Sequence, residues 1–264
     1  MPISSKVIDY AVNDGIARVW LARPDRRNAL DETLMSDLGT VLRELGDNDT
    51  VRVIVIGGLG KAFCAGADLH WMARAAEYDR AKNLEDVARL SILLQTLDQL
   101  PKPTLARVHG ACYAGATGLV AACDLAIAAD DAQFCFSEVR LGLVPATISP
   151  YVQRAMGYRA ALQYMLTAEV FDAVAAARTG LVNECVPIDA LDTRINALTS
   201  ALRSAGPRAL AETKRLLRSI HGRPIDASVM QQTIECIADA RVSPEGTEGI
   251  RALLAHEKPR WSDK

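Results

Sequence analysis

The feature that most restricts this chain is an alternation that stops. Up to about residue 136, short apolar runs of strand length take turns with longer stretches of helical periodicity; after Gly206 only helical patterns remain. Residues 7–12 and 16–21 flank Asn13-Asp14-Gly15 and alternate apolar with polar, the signature of a β-hairpin. Leu30, Leu34, Leu38, Val41, Leu42 and Leu45 then fall on one helical stripe, with Asp31 near its start. Residues 51–56 form a short β-branched run, read as a buried strand stopped by Gly57-Gly58. The pattern continues with a helix over 83–100, a strand over 104–108, a helix over 115–122, and strands over 125–129 and 133–136. Such alternation predicts an α/β architecture with parallel strands.

From Gly206 the character changes. Gly206-Pro207 opens a helix to Ile220, with Pro207 suited to a first helical position. A second helix is predicted over 227–241, and a third from Ser243-Pro244-Glu245 to about His256. The expected division is a core over 1–205 and a helical packing or assembly region over 206–264.

With 264 residues, half of them hydrophobic, the chain has ample material for a buried core. Lys+Arg is 30 against Asp+Glu 32, a net charge of -2, which gives no general attraction to nucleic acid or anionic lipid. The stretch from Met1 to Asp14 lacks a basic patch followed by an apolar run, and no apolar run approaches the roughly 20 residues that span a bilayer. The expected setting is cytoplasmic, with no membrane association. The six cysteines include no C-x-x-C pair and read as buried free thiols. His70, His109, His221 and His256 lack metal-ligand spacing, so no metal site is expected.

Three segments carry the chemistry. In Phe63-Cys64-Ala65-Gly66-Ala67-Asp68-Leu69, small residues let a ligand approach the backbone. Gly110-Ala111-Cys112-Tyr113-Ala114-Gly115-Ala116-Thr117-Gly118 follows a strand and opens a helix, whose N-terminus offers N–H groups to an oxyanion. Within it, Gly110 and Gly118 read as packing positions and Gly115 as functional. Ser137-Glu138-Val139-Arg140, ahead of Leu141-Gly142-Leu143-Val144-Pro145, sets one carboxylate among apolar residues. Two donor loops and one sequestered carboxylate suit proton transfer next to a carbonyl whose oxygen becomes negative. Gly57-Gly58-Leu59-Gly60-Lys61 fits neither a phosphate loop nor a dinucleotide fingerprint.

Taken together, these segments with Arg23-Pro24, Asn28-Ala29-Leu30, His109-Gly110, Cys123-Asp124 and Ala132-Gln133-Phe134 resemble the crotonase (enoyl-CoA hydratase/isomerase) family, nearly from end to end. The resemblance implies a crotonase-like spiral of ββα units with a C-terminal helical trimerisation region. It implies an acyl-CoA substrate, with coenzyme A part of that substrate and no separate cofactor, and a homotrimer or dimer of trimers. It assigns the N–H groups of Ala67 and Gly115 to an oxyanion hole, where one donor is typically worth roughly 3–4 kcal/mol of barrier. Glu138 takes the catalytic acid/base position. The loop with Ala65, Asp68 and Leu69 meets coenzyme A. Lys258, with Arg26 or Arg27, meets its phosphates, Lys258 across a subunit boundary. Pocket-wall candidates are His70, Trp71, Met72, Tyr113 and Tyr151, and Asp124 takes a structural position.

Two departures narrow the reading. The position of a first family glutamate is Gly118 here, and the glycine-rich run that many relatives carry after Pro145 is replaced by Ala146-Thr147-Ile148-Ser149-Pro150-Tyr151. This combination resembles hydratases of 3-branched glutaconyl thioesters, 3-methylglutaconyl-CoA in leucine breakdown and isohexenylglutaconyl-CoA in acyclic terpene breakdown. An enoyl-CoA isomerase is the nearest alternative, since one carboxylate suffices to shuttle a proton. A non-catalytic, RNA-associated role is a distant one, resting on Lys214, Arg215 and Arg218 of one helix.

Overall fold

The computed structural model describes residues 5–262; residues 1–4 and 263–264, which belong to the readings of the N-terminal stretch and of the 206–264 region, lie outside the described ones. β1 (Ile8–Asn13) and β2 (Ile16–Leu21) pair antiparallel around Asp14-Gly15, whose φ values of 49° and 74° are the positive pair that a two-residue hairpin turn demands. Asp31 caps α1 (Glu32–Asp47), its side chain accepting from the Leu34 N–H at 2.9 Å. The predicted stripe is the buried face of that helix: Leu34, Leu38, Val41 and Leu42 are fully buried.

Beyond α1 the chain repeats one unit: a strand, a short strand, then helix. β3 (Val53–Gly58) and β4 (Ala62–Cys64) lead to α2 (Leu69–Ala75) and α3 (Arg80–Gln99). β5 (Thr104–Val108) and β6 (Ala111–Tyr113) lead to α4 (Gly115–Ala122). β7 (Leu125–Ala129) and β8 (Gln133–Cys135) lead to a 3-10 turn, Glu138–Leu141, and to α5 (Ser149–Thr167), which breaks at Gly157. β9 (Phe171–Asp172), α6 (Ala173–Thr179), β10 (Glu184–Val186) and α7 (Leu191–Ser204) close the core. The first strand of each unit joins a six-stranded sheet in the order β1-β2-β3-β5-β7-β10, and the second joins a four-stranded sheet in the order β4-β6-β8-β9. This is the expected spiral of ββα units.

The repeat has a direct consequence for function. β4, β6 and β8 are parallel neighbours, so the chain leaves all three at the same edge of the small sheet. Ala67, Gly115 and Glu138 each follow the end of one of these strands by two or three residues. Three segments distant in sequence are therefore delivered side by side, as strand-end loops are in open parallel sheets.

Apolar burial holds both faces of the large sheet. One face packs on α1, α3 and α4; the other sets Val53, Val55, Leu105 and Ile127 against Leu191 and Ile195 of α7. Beneath the small sheet, Phe134 stacks on Phe171 with ring centroids 5.5 Å apart. Each such large side chain contributes roughly 1.5–3 kcal/mol when fully buried.

Two expectations need correction. Gly57 and Gly58 do not stop the strand; they lie inside β3, paired with Trp20 and Leu21 of β2. A Cβ at Gly57 would stand 2.5 Å from the Trp20 ring, so glycine answers to a neighbour pressing on the strand rather than to a turn. The segment from Gly110 to Gly118 is not one loop, because β6 lies within it.

The C-terminal part is α8 (Pro207–Ile220), α9 (Ala227–Val242) and α10 (Pro244–Leu254), with no strand among its described residues. Leu217, Met230, Ile234, Ile237, Val242, Leu253 and Leu254 are exposed on it, an apolar surface that a single chain leaves uncovered. Lys214, Arg215 and Arg218 of α8 do not form a free positive face. Lys214 is paired with Asp124 at 2.6 Å, Arg215 with Glu212 at 2.5 Å, and Arg218 lies 3.6 Å from Asp98. Asp124 also accepts from the N–H and hydroxyl of Thr104, at 2.8 and 2.9 Å, and so ties α8 to the sheet. No described helix is long and apolar enough to cross a membrane.

Candidate active site

The loop after β4 runs beside Leu30 as an isolated parallel bridge. Leu30 N–H donates to the Gly66 carbonyl at 2.7 Å, Asp68 N–H donates to the Leu30 carbonyl at 2.8 Å, and Ala65 N–H donates to the Arg27 carbonyl at 2.9 Å. The backbone is thus tied on both sides of Ala67, while the Ala67 N–H has no backbone partner among the described residues. The loop after β6 is built to the same end. Ala114 sits at φ 49°, ψ -123°, a conformation that costs a non-glycine residue about 1–3 kcal/mol. It is held there by its N–H, which donates to the Cys135 carbonyl at 2.8 Å, and by its carbonyl, which accepts from the N–H and hydroxyl of Thr117 at 2.9 and 2.6 Å. Gly115, the first residue of α4, is left with its N–H unpaired among the described residues.

Both loops and Glu138 line one cleft of ≈ 290 Å³. Its walls come from Leu30, Met35, Trp71, Met72, Leu90 and Ile148, and Glu138 is the only ionisable residue among those lining it. The Glu138 Oε2 atom is buried with no hydrogen-bond partner. Burial pushes its carboxyl above the ordinary glutamate range, opposed in part by a bond from its own backbone N–H. Arg140, two residues on, is exposed and makes no ion pair with it among the described residues. An unpaired carboxylate oxygen held in an apolar cleft is suited to taking and returning a proton.

The Gly118 position is closed. A Cβ there would collide with the side chain of Ile148, which lines the cleft, and would touch Leu94 at 3.5 Å. The isoleucine of the segment after Pro145 occupies the space that a side chain on the second turn of α4 would need.

The remaining candidates separate into groups. Ala65, Leu69, Trp71 and Met72 line the cleft. Asp68 is buried and committed elsewhere: it caps α2, accepting from His70 and Trp71 N–H at 2.9 and 3.2 Å, and it pairs with Arg23 and Arg26 at 3.3 and 3.2 Å. Those bonds hold its carboxyl below the usual range although burial pushes the other way. Arg26 is half exposed and reaches Asp68. His70 and Lys258 are exposed and off the cleft wall; Tyr113, whose hydroxyl donates to Gln133 at 3.3 Å, and Tyr151, beneath Arg154, are off it as well. Sequence reasoning missed Met35, Leu90 and Ile148 as cleft walls, since core residues give the same periodic signal. It also missed Asp86, whose carboxylate accepts the Trp71 indole N–H at 3.0 and 3.2 Å.

Residues 11–264 match the family model described as enoyl-CoA hydratase/isomerase. An enoyl-CoA hydratase of Shewanella pealeana has 43% identical residues and superposes with a TM-score of 0.94, covering 97% of this chain and 96% of that one. Pseudomonas aeruginosa AtuE is 35% identical at a TM-score of 0.90, covering 97% of this chain and 100% of the other. The hydroxycinnamoyl-CoA hydratase-lyase of Pseudomonas fluorescens is 35% identical over 212 residues, 79% of this chain and 77% of that protein.

Proposed function

The chain belongs to the enoyl-CoA hydratase/isomerase family, and within it we propose a hydratase that adds water across the double bond of a 3-branched glutaconyl-CoA thioester, 3-methylglutaconyl-CoA or isohexenylglutaconyl-CoA. The observation that carries the single-carboxylate chemistry is the buried, unpartnered Oε2 of Glu138 in a cleft that also holds the free N–H groups of Ala67 and Gly115. The thioester oxygen accepts from those two N–H groups. Ionised Glu138 takes a proton from water, the hydroxyl oxygen bonds to C3, and the electron pair of the C2–C3 double bond moves into the enolate that the two donors stabilise. Protonated Glu138 then returns its proton to C2, and the carboxylate is regenerated. With Gly118 closed by Ile148, the distal carboxylate of a glutaconyl substrate is proposed to help orient the water.

The acyl group is named by the likeness of Ser137-Glu138-Val139-Arg140 and of the segment after Pro145 to those hydratases. The apolar walls suit the branch. Coenzyme A is proposed to enter as part of the substrate, without a separate cofactor, with its phosphates toward Arg26 and toward Lys258 of a neighbouring copy. The uncovered apolar surface of α8–α10 supports self-association, and a trimer or a dimer of trimers, in the cytoplasm, is proposed. Sedimentation as a monomer would count against that assembly.

One observation favours a second reading. No arginine, lysine or histidine is among the residues lining the cleft, so a distal carboxylate finds no cation on this chain's own wall. A neutral enoyl-CoA, hydrated or isomerised by the same glutamate, meets no such mismatch. The deciding experiment presents 3-methylglutaconyl-CoA, isohexenylglutaconyl-CoA and neutral 3-methylcrotonyl-CoA in parallel and follows products by mass, with Glu138→Gln as control. Hydrated glutaconyl product, absent from the variant, supports the proposal. Turnover of the neutral thioester at an equal rate moves the assignment to the second reading.

A further inference from the structure

Helix α2 supplies three residues to the cleft, Leu69, Trp71 and Met72, yet it has no fully buried residue. Trp71 packs, partly buried, against the core, and polar contacts supply the rest of the helix's anchorage. At its start, Asp68 accepts from the N–H groups of His70 and Trp71. Near its end, Arg74 reaches Glu32 of α1 at 2.5 Å. Between them, the Trp71 indole N–H donates to both carboxylate oxygens of Asp86.

Asp86 is an unusual residue where it stands. It is 7% exposed on α3, between exposed Glu85 and Val87. Leu90, one turn further along the same helix, lines the cleft. The one ion-pair partner of Asp86 among the described residues is Arg89, at 3.7 Å and about half exposed. Burying a carboxylate is costly unless it is hydrogen-bonded, and a bond to an ionised acceptor is roughly twice as strong as a neutral one. A position that needed only packing would be served by leucine.

We propose that Asp86 is a positioning residue: by holding the indole of Trp71 it fixes the wall that α2 presents to the cleft, and so limits the length of acyl chain the site accepts. This rests on the reading of the cleft as the acyl site. Releasing the indole removes the polar tie that orients this partly buried side chain against the core, on a helix with no fully buried residue, and the cleft widens.

The test measures Kd by calorimetry for butanoyl-CoA and octanoyl-CoA, saturated thioesters that cannot be hydrated, on the full chain. Asp86→Ala is expected to shift the ratio of the two Kd values about tenfold toward octanoyl-CoA. Asp86→Asn, which keeps an acceptor oxygen, should stay within about twofold of wild type. Trp71→Phe loses the N–H together with part of the ring's bulk; it should shift the ratio in the same direction, and adding Asp86→Ala to it should change nothing further. An unchanged ratio in Asp86→Ala, or additive effects in the double variant, overturns the proposal. Should Asp86→Ala fail to fold, Asp86→Leu, which removes the acceptor and keeps buried bulk, takes its place and is read by the same ratio. If neither thioester binds wild type, the acyl-site reading itself fails, and the proposal with it.

Discussion

Gly118, packed behind the cleft-wall residue Ile148, and Glu138, on the cleft wall itself, treat polarity in opposite ways. At Gly118 the space is filled: Ile148 covers the backbone and no side chain fits. At Glu138 a carboxylate oxygen is buried and left without a partner. The first arrangement is what stability favours, a close-packed apolar contact. The second costs stability and is retained where a proton must move. On the proposed mechanism the site is divided into one packed position and one reactive one.

The sharpest way to break that contrast is Glu138→Gln. The rate of hydration should fall about 10²–10⁴-fold, measured by single-turnover product formation, because the amide can neither take nor return the proton. Retention of most of the rate would mean that the reactive position lies elsewhere. On the packed side, Ile148→Ala should lose about 2–5 kcal/mol in chemical denaturation, as large-to-small changes in a packed site do. It should keep the dependence of the rate on Glu138. Gly118→Ala should lose about 1–3 kcal/mol by overpacking against Ile148, with no gain in activity; a faster enzyme would show that the slot is more than packing. The smallest effect is on thermal stability with pH. Burial raises the Glu138 carboxyl in the folded chain, so folding favours its protonated form and ionisation costs stability as pH rises through that raised value. Glu138→Gln should therefore melt higher than wild type at neutral pH, and the difference should vanish below about pH 4, where a glutamate is protonated folded or unfolded.

The same contrast separates what the sequence disclosed from what it concealed. Periodic segments were legible: the hairpin at Asp14-Gly15, and α4 and α8, whose observed limits at Gly115–Ala122 and Pro207–Ile220 match the residue pattern. The small sheet was not legible as a sheet. β4 and β6 are three residues each, too short to show alternation, and they exist because β6 pairs with β4 on one side and β8 on the other, across tens of residues. The convergence of Ala67, Gly115 and Glu138 depends on that pairing, and resemblance disclosed it before any local pattern did. The closed slot at Gly118 and the Trp71–Asp86 bond are long-range contacts, the latter between residues 15 apart on two helices, and no local pattern encodes either.

The central claim is that one carboxylate carries both proton steps, and the pH profile of kcat/KM tests it most directly, since that quantity reports the ionisations of the free enzyme. The account predicts a single acid limb of unit slope, with its midpoint above the ordinary glutamate range, flat thereafter to about pH 8, and absent from Glu138→Gln. A bell with a second limb in that range, or an acid limb that survives in Glu138→Gln, would contradict it.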